Sequence, residues 1–416
     1  MSTKTSSEVK DAIVTHARGK VCLFNLRSSR TDYRALRTIT ALKKEGFDVS
    51  VIDVECERTT PCDETKDGVH WHHLIIPNWY SSRRFQPWFF LVALKTFFLS
   101  LRALLKNHAD IYHAVELTAL PTAYIVTKIL CKPLVFEAYE LPIPVPETTI
   151  AFWRRLGSLL LTLLLPRCTK VITVSPLCAE ELCKHFHMRE VCVVRNIPVY
   201  RTVQKSNLLR QYLRLKEETR IALYQGGLQR DRGLDMLIRA GAFLEDDIVI
   251  VLMGKGMGTT LKELETLIIN TEVADRVKII PPVPYENLLD WTASADIGLT
   301  IFPLNYSLSI RWCLPNKLFE YIMAGVPILT TKLDAVVDII KTYEVGQVVT
   351  SVTPEAFGEA INTMLADHTE LARMRRNALS AAQRELYWEK ERLHLVDLYQ
   401  EILQKGIQEK RASDNT

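Results

Sequence analysis

The chain is poor in the features that mark specialised protein classes. Glycine is scarce, 16 in 416 residues, which excludes a collagen-like chain and argues against loop-rich repeat scaffolds. Charge of one sign does not dominate: 52 Lys and Arg against 48 Asp and Glu leave a formal +4, far short of the basic charge a dedicated nucleic-acid binder concentrates. No Cys-x-x-Cys pair occurs among nine scattered cysteines. A disulfide framework and a zinc site are therefore not expected, and a reducing cytoplasm is the natural compartment. The opening MSTKTSSEVKDAIVTHARGK lacks the apolar core of a signal peptide and reads as a polar tail over 1–19.

Long apolar runs are missing too. A bilayer crossing needs about 20 largely apolar residues. The stretch from Phe85 to Lys106 is interrupted by Lys95 and ends near Arg102, and the stretch from Ala151 to Pro166 is too short. Both read first as helices packed on a sheet. Arg83 and Arg84, the aromatics Trp79, Tyr80 and Trp88, and the cations Lys95, Arg102 and Lys106 also describe a helix lying on an anionic membrane, and Arg154 and Arg155 repeat the theme. The two readings are compatible if one face does each job.

What is present is an alternation of short apolar runs with longer helical patterns, which predicts parallel sheets flanked by helices. Strands are expected at 20–25, 48–54, 70–76, 111–115, 133–138, 170–175 and 191–196. A second set is expected at 220–226, 247–254, 277–283, 296–302, 327–331 and 346–350. Between the first two strands Tyr33, Leu36, Ile39 and Leu42 recur at three-residue steps, and Gly46 closes that helix. Helices are expected at Gly233–Phe243, Thr259–Thr271, Tyr285–Ala293, Pro315–Ala324 and Pro354–Leu365, with further helix from Thr369 to about Lys405. The expected class is α/β, two Rossmann-like doubly wound domains over 20–198 and 199–375 followed by helices and a tail over 376–416. Ligands in such sheets bind beyond the carboxyl ends of the strands. The three alternating prolines of LPIPVPE, Leu141–Glu147, forbid a helix, leaving a substrate loop or a rigid connector about equally open.

Three segments carry the chemistry. In YQGGLQRDRG, Gly226 and Gly227 follow a strand and Gly233 opens a helix, with Arg230 and Arg232 between them. Glycines there let backbone N–H groups approach a phosphate, and the arginines add planar charged donors. A plain connector with solvated arginines is the bland alternative. LMGKGMG ends the next strand and brings Gly254 and Gly256, so two such turns form one rim. In PNKLFEYIMAG, Pro315 suits a helix start, Asn316 and Lys317 occupy the anion-attracting first turn, and Glu320 follows one turn on. That carboxylate is either a partner of the helix dipole or an acceptor for two ribose hydroxyls.

The order YQGG…RG, MGKG, PNKLFEYIMAG and a closing YW…LY helix (Tyr387, Trp388, Leu398, Tyr399) resembles the retaining GT-B glycosyltransferases of family 4, from Lys20 to about Leu403. The resemblance implies transfer of a sugar from a nucleoside-diphosphate sugar, with retained anomeric configuration, without metal or other cofactor. It implies that C-terminal helices close back on the N-terminal domain. It assigns the diphosphate to Arg232, the ribose to Glu320, the sugar and diphosphate to the stretch Arg311–Lys317, and the nucleobase to Pro281–Val283, including Pro282 and Val283. No Asp-x-Asp motif follows a strand. In the first half, His113 and Glu116 stand at the family's His-containing segment, and Tyr139 and Glu140 at a second motif where relatives usually carry a histidine.

The catalytic group expected is Arg232, Lys317 and His113; Gly226, Gly227, Arg230, Gly254, Gly256, Pro282, Val283, Arg311, Pro315, Asn316 and Glu320 are expected to bind the donor. Arg27 and Arg30, with Glu116, Tyr139 and Glu140, are expected on the acceptor side. The loop Asn25–Tyr33 carries arginines and serines where the family often has glycines. Trp312 and Gly227 replace a glutamate and an arginine common in relatives. The expected partners are a nucleotide sugar, a saccharide or lipid-linked acceptor in surface-polysaccharide or glycolipid assembly, and an anionic membrane touched peripherally at the cytoplasmic face, but no nucleic acid. A non-catalytic subunit that binds nucleotide sugars is the rival from another class. A dinucleotide-dependent oxidoreductase is disfavoured because no Gly-x-Gly-x-x-Gly opens the first unit.

Overall fold

The computed structural model describes residues 18–77, 87–142, 151–256, 258–303 and 308–414. The polar tail up to residue 17, the residues Trp79, Tyr80, Arg83 and Arg84, and most of the proline loop fall outside that range, and so does the side chain of Arg154. The chain divides into two compact units, Met1–Phe136 with Tyr399–Thr416, and Glu137–Leu398.

The first sheet contains β1 (Lys20–Asn25), β2 (Asp48–Glu55), β3 (Asp63–Lys66), β4 (Val69–Ile75), β5 (Ile111–Val115), β6 (Leu134–Glu137), β7 (Lys170–Thr173) and β8 (Cys192–Val193), in the order β3-β4-β2-β1-β5-β6-β7-β8. Around β1 the pairing is parallel, Lys20 opposite Asp48 and Val21 opposite Ile111. Parallel strands are covered on both faces and so read as unbroken apolar runs; VCLF of β1 is fully buried. The exception is β3, DETK, which pairs antiparallel with β4 at the sheet edge. Its charges suit an exposed edge and give no apolar signal.

Helix α1 (Tyr33–Lys44) begins at Asp32, whose carboxylate accepts from the amides of Arg34 (2.9 Å) and Ala35 (3.2 Å), and Gly46 follows its end at φ +83°. Its buried face is Ala35, Thr38, Ile39, Ala41 and Leu42, whereas Tyr33 is exposed. Three-residue steps advance only about 300° around a helix, so a strict three-residue stripe drifts off the contact face. Helices α2 (Pro87–Lys106), α3 (Glu116–Leu130), α4 (Ala151–Leu164) and α5 (Pro176–Phe186) complete this half of the chain. Among the described residues no helix is long and apolar enough to cross a membrane.

The short α6 (Leu208–Leu213) lies between the last strand expected in the first set and the first of the second, where no element is expected from the sequence. The second sheet follows, with β9 (Arg220–Gln225), β10 (Ile248–Met253), β11 (Val277–Ile280), β12 (Ile297–Thr300), β13 (Ile328–Thr331) and β14 (Gly346–Val349) in the order β11-β10-β9-β12-β13-β14. Side chains alternate between two cores: Ile221, Leu223, Val249 and Val251 enter one, Ala222, Tyr224, Ile250 and Leu252 the other. Helices α7 (Leu234–Ala240), α8 (Thr260–Asn270), α9 (Tyr285–Thr292), α10 (Leu308–Trp312), α11 (Asn316–Met323), α12 (Asp334–Tyr343), α13 (Pro354–Ala366), α14 (His368–Arg384) and α15 (Trp388–Asp414) flank or follow it. From Tyr399 on, α15 belongs to the first unit.

Helix α11 is the element that positions the site, and Tyr321 seats it. The phenol is fully buried, donates to the carbonyl of Leu223 at 2.8 Å and accepts the amide of Gln225 at 3.2 Å, both at the end of β9. The ring lies against Gly298 of β12, where a Cβ would come within 2.5 Å of the ring atom Cγ. Gly298→Ala is expected to destabilise the fold by about 1–3 kcal/mol through overpacking, read by denaturant unfolding, and to weaken nucleotide binding as α11 is displaced.

Candidate functional site

The carboxyl end of the second sheet opens into a cavity of about 560 Å³ within the second unit. Its floor is backbone. Gly226, at φ +130°, follows β9, and its carbonyl lies 1.7 Å from where a Cβ on Gly254 would stand. Only glycine at 254 lets the turns after β9 and β10 touch, a use glycine serves where chain approaches chain. The amide of Leu228 then donates to Lys255 at 3.0 Å, and Leu228 bridges to Gly256.

The charged groups converge on this floor. Lys317, in the first turn of α11, is almost fully buried, with Nζ 3.4 Å from the centre of the Tyr224 ring. Burial, with the nearby charge of Arg232, holds its ammonium well below the usual lysine range, although Glu320 pulls the other way. Arg232 ends a short 3-10 turn, Arg230–Arg232, with its guanidinium 5.1 Å from the centre of the Phe302 ring and Nε donating to Gln229 at 3.2 Å. Gly233, at φ +70°, then starts α7. Glu320 is buried beside Lys317 and accepts from Gln225 Nε2 at 2.6 Å, while Thr292 donates to the other end of that amide at 2.8 Å. A carboxylate, an amine and a guanidinium thus line one cavity over the glycine turns, a set whose chemistry suits a bulky anion and a neighbouring hydroxyl pair.

The cavity gathers Arg232, Lys317, Glu320, Gly226, Gly227, Gly254, Pro282, Val283, Pro315 and Asn316, together with Tyr139 and Glu140. Pro315 is the residue before α11, not its first residue. The side chain of Asn316 accepts from Asn196 at 2.7 Å. Other expected residues lie elsewhere. Arg230 turns onto α8, pairing with Glu263 and Thr259. Arg311 pairs with Asp334 at 2.7 Å, and the Trp312 indole donates to the same carboxylate at 3.3 Å. Sequence reading missed Tyr224 and Gln225, at the end of β9 beside the first glycine turn, Phe302, two residues past β12, and Ser309, just before the assigned stretch Arg311–Lys317, whose Cys313 also lines the cavity. Ser309 accepts the Leu141 amide at 3.2 Å.

The remaining expected residues lie in the first unit. His113 is fully buried on β5, with Nδ1 2.5 Å from the Tyr399 hydroxyl. Glu116 begins α3 at φ +66°. Arg27 is exposed, and Arg30 pairs with Glu64. Their loop is held by the carboxylates of β2. The amide of Ser29 donates to Asp53 at 2.8 Å, Ser28 donates to Glu55, and Asp53 meets its register partner His73 at 2.5 Å. Asp53, Glu55 and His73 form a group whose chemistry suits a metal ion, but each already holds a hydrogen bond within the loop network. Burial disfavours the charged His73 ring, yet the hydrogen bond and charge of Asp53 outweigh it and raise its pKa.

Two expectations follow. A raised histidine pKa stabilises the fold fully below the ordinary value of about 6.5, and that contribution is lost as pH rises through the folded-state value. His73→Asn should flatten this part of a stability-against-pH curve measured by denaturant. Lys317 has the opposite sense, because the unfolded chain binds the proton more tightly, so ligand-free stability rises with pH toward about 10.4. A nucleoside diphosphate favours the charged amine, so it is expected to bind with proton uptake over the pH range in which ligand-free Lys317 has lost part of its charge. Calorimetry in buffers of different ionisation enthalpy reads that uptake, and Lys317→Met should abolish it.

Two family descriptions match the chain, "Glycosyl transferases group 1" over residues 205–381 and "Glycosyltransferase Family 4" over 33–197. A D-inositol 3-phosphate glycosyltransferase of Xylanimonas cellulosilytica is 27% identical over 204 residues, 49% of this chain and 47% of the relative. The chain thus spans about half the length of the curated relatives it matches. Among solved structures, sucrose-phosphate synthase from Thermosynechococcus elongatus aligns with a TM-score of 0.77 at 15% identity, covering 93% of this chain and 99% of that one. Anabaena HepE, in complex with UDP and glucose, aligns at 0.68 and 17%, covering 92% and 99%. At such identities the likeness speaks for the fold, two Rossmann-like sheets of GT-B type. Taken with the two adjoining family matches, it means that the chain belongs to the GT-B glycosyltransferases of the family 4-like group.

Proposed function

We propose that the chain transfers a glycosyl group from a nucleoside-diphosphate sugar to a saccharide or lipid-linked acceptor, with retained configuration and without metal or cofactor, in surface-polysaccharide or glycolipid assembly at the cytoplasmic face of a membrane. The observation that carries the proposal is the cavity where Arg232, Lys317 and Glu320 face the Gly226–Gly227 turn. In this reading Glu320 accepts the ribose hydroxyls and Pro282 and Val283 line the base. Arg232, with Lys317 and the first amides of α11, stabilises the charge that builds on the departing diphosphate. Such preorganised groups act without reorganising as the bond breaks. Retention follows if the acceptor attacks the face the diphosphate leaves, a donor phosphate oxygen taking the acceptor proton. Arg27, Arg30, Glu116, Tyr139 and Glu140 are assigned to the acceptor side; His113, expected from the sequence as a catalytic residue, is fully buried against Tyr399 and is assigned here to supporting that side.

The name of the curated relatives supports a phosphorylated polyol as one acceptor to test. The second reading, a subunit that binds nucleotide sugars without turning them over, is favoured by Trp312 facing Asp334 and by Gly227 in place of an arginine. A thermal-shift screen against nucleotide sugars selects the donor, because a ligand bound only by the folded state raises its melting temperature. Transfer or hydrolysis of that donor supports the enzyme; binding with neither supports the subunit. Arg232→Ala is expected to lower turnover by about a hundredfold or more, and near-normal transfer by that variant removes its assigned role.

A further inference from the structure

Helix α2 turns large apolar side chains outward as well as inward. The side chains it buries include Thr96 and Ser100 beside Ala103 and Leu104, whereas Phe90, Leu91, Leu94 and Phe98 are 53%, 69%, 54% and 57% exposed. Positions 91, 94, 95, 98, 102 and 106 fall on one stripe of a helix. Large apolar groups therefore share their outward face with the exposed cations Lys95, Arg102 and Lys106. Neighbouring α3 carries an exposed apolar residue of its own, Ile129, in its last turn. No acidic residue occurs from Gly68 to Ala109, nor from Leu117 to Phe136. An apolar face ringed by cations and free of carboxylates complements a bilayer bearing anionic headgroups.

We propose that the outward face of α2 docks the chain on an anionic membrane, its aromatic and aliphatic side chains entering the headgroup boundary and its lysines and arginine meeting lipid phosphates. Docking does not depend on the transferase reading; that docking also brings a lipid-linked acceptor within reach does rest on it.

The test is flotation of the full chain with phosphatidylcholine vesicles, with and without about 30% phosphatidylglycerol. Wild type is expected to float with the anionic vesicles. Raising salt from about 0.1 M to about 1 M, which shortens the Debye length from about 10 Å to about 3 Å, should release a large part of it. Leu94→Glu with Phe98→Ser, and separately Lys95→Glu with Arg102→Glu, should each weaken partitioning about tenfold or more. All four side chains are exposed or nearly so, and an unchanged melting temperature and nucleotide affinity certify each variant. Absence of wild-type flotation overturns the proposal, as does flotation that neither variant weakens. Lipid-free self-association abolished by Leu94→Glu also overturns it, because the face would then belong to a second copy. Nucleotide affinity, measured on the same samples, reports separately on the donor site.

Discussion

The contact on which the candidate site depends is a phenol under a helix. Tyr321 ties α11 to the end of β9 through the Leu223 carbonyl and the Gln225 amide, and Gly298 makes room for its ring. Everything chemically distinctive stands relative to that anchor. Lys317 lies one turn before it, Glu320 adjoins it, and Gln225 both donates to Glu320 and leads into the Gly226 turn. A hydroxyl satisfied by two strand-end groups is a rigid seat, and rigid seats are what preorganised electrostatics require.

That seat holds a costly arrangement. An amine brought out of water beside a guanidinium loses ionisation, and the face of Tyr224 is a modest compensation. The ligand-free cavity is thus electrostatically under tension, and an anion relieves it. In the proposed reading, affinity and selectivity for a doubly charged ligand would come from the same source, since a neutral sugar does nothing for the buried amine.

Much of the fold was legible because parallel strands are buried on both faces and leave continuous apolar runs. The strands of the second sheet were found to within a few residues, and Gly226, Gly254, Lys317 and Glu320 were singled out from turn and helix-start chemistry. The edge strand β3 was not, because DETK carries no apolar pattern. The short α6 stands between the two expected sets of strands without a side-chain cap, and α12 lies in a stretch without a capping signal strong enough to mark it. Side-chain destinations were the least legible. Nothing local distinguishes Arg230 from Arg232, two residues apart; the turn sends one to Glu263 and the other to the cavity. Nor does spacing show that Asp53 and His73 are register partners that hold the loop after β1.

The division of labour between those two arginines limits how the site can vary. Arg230 closes a clamp with Thr259 and Glu263 at the start of α8, so it cannot swing inward without undoing the join between neighbouring βα units. Arg232 is therefore the arginine of this turn that serves the cavity, and a lineage that lost it would have to draw on a cation from a neighbouring turn, such as Lys255 after β10, instead of on Arg230.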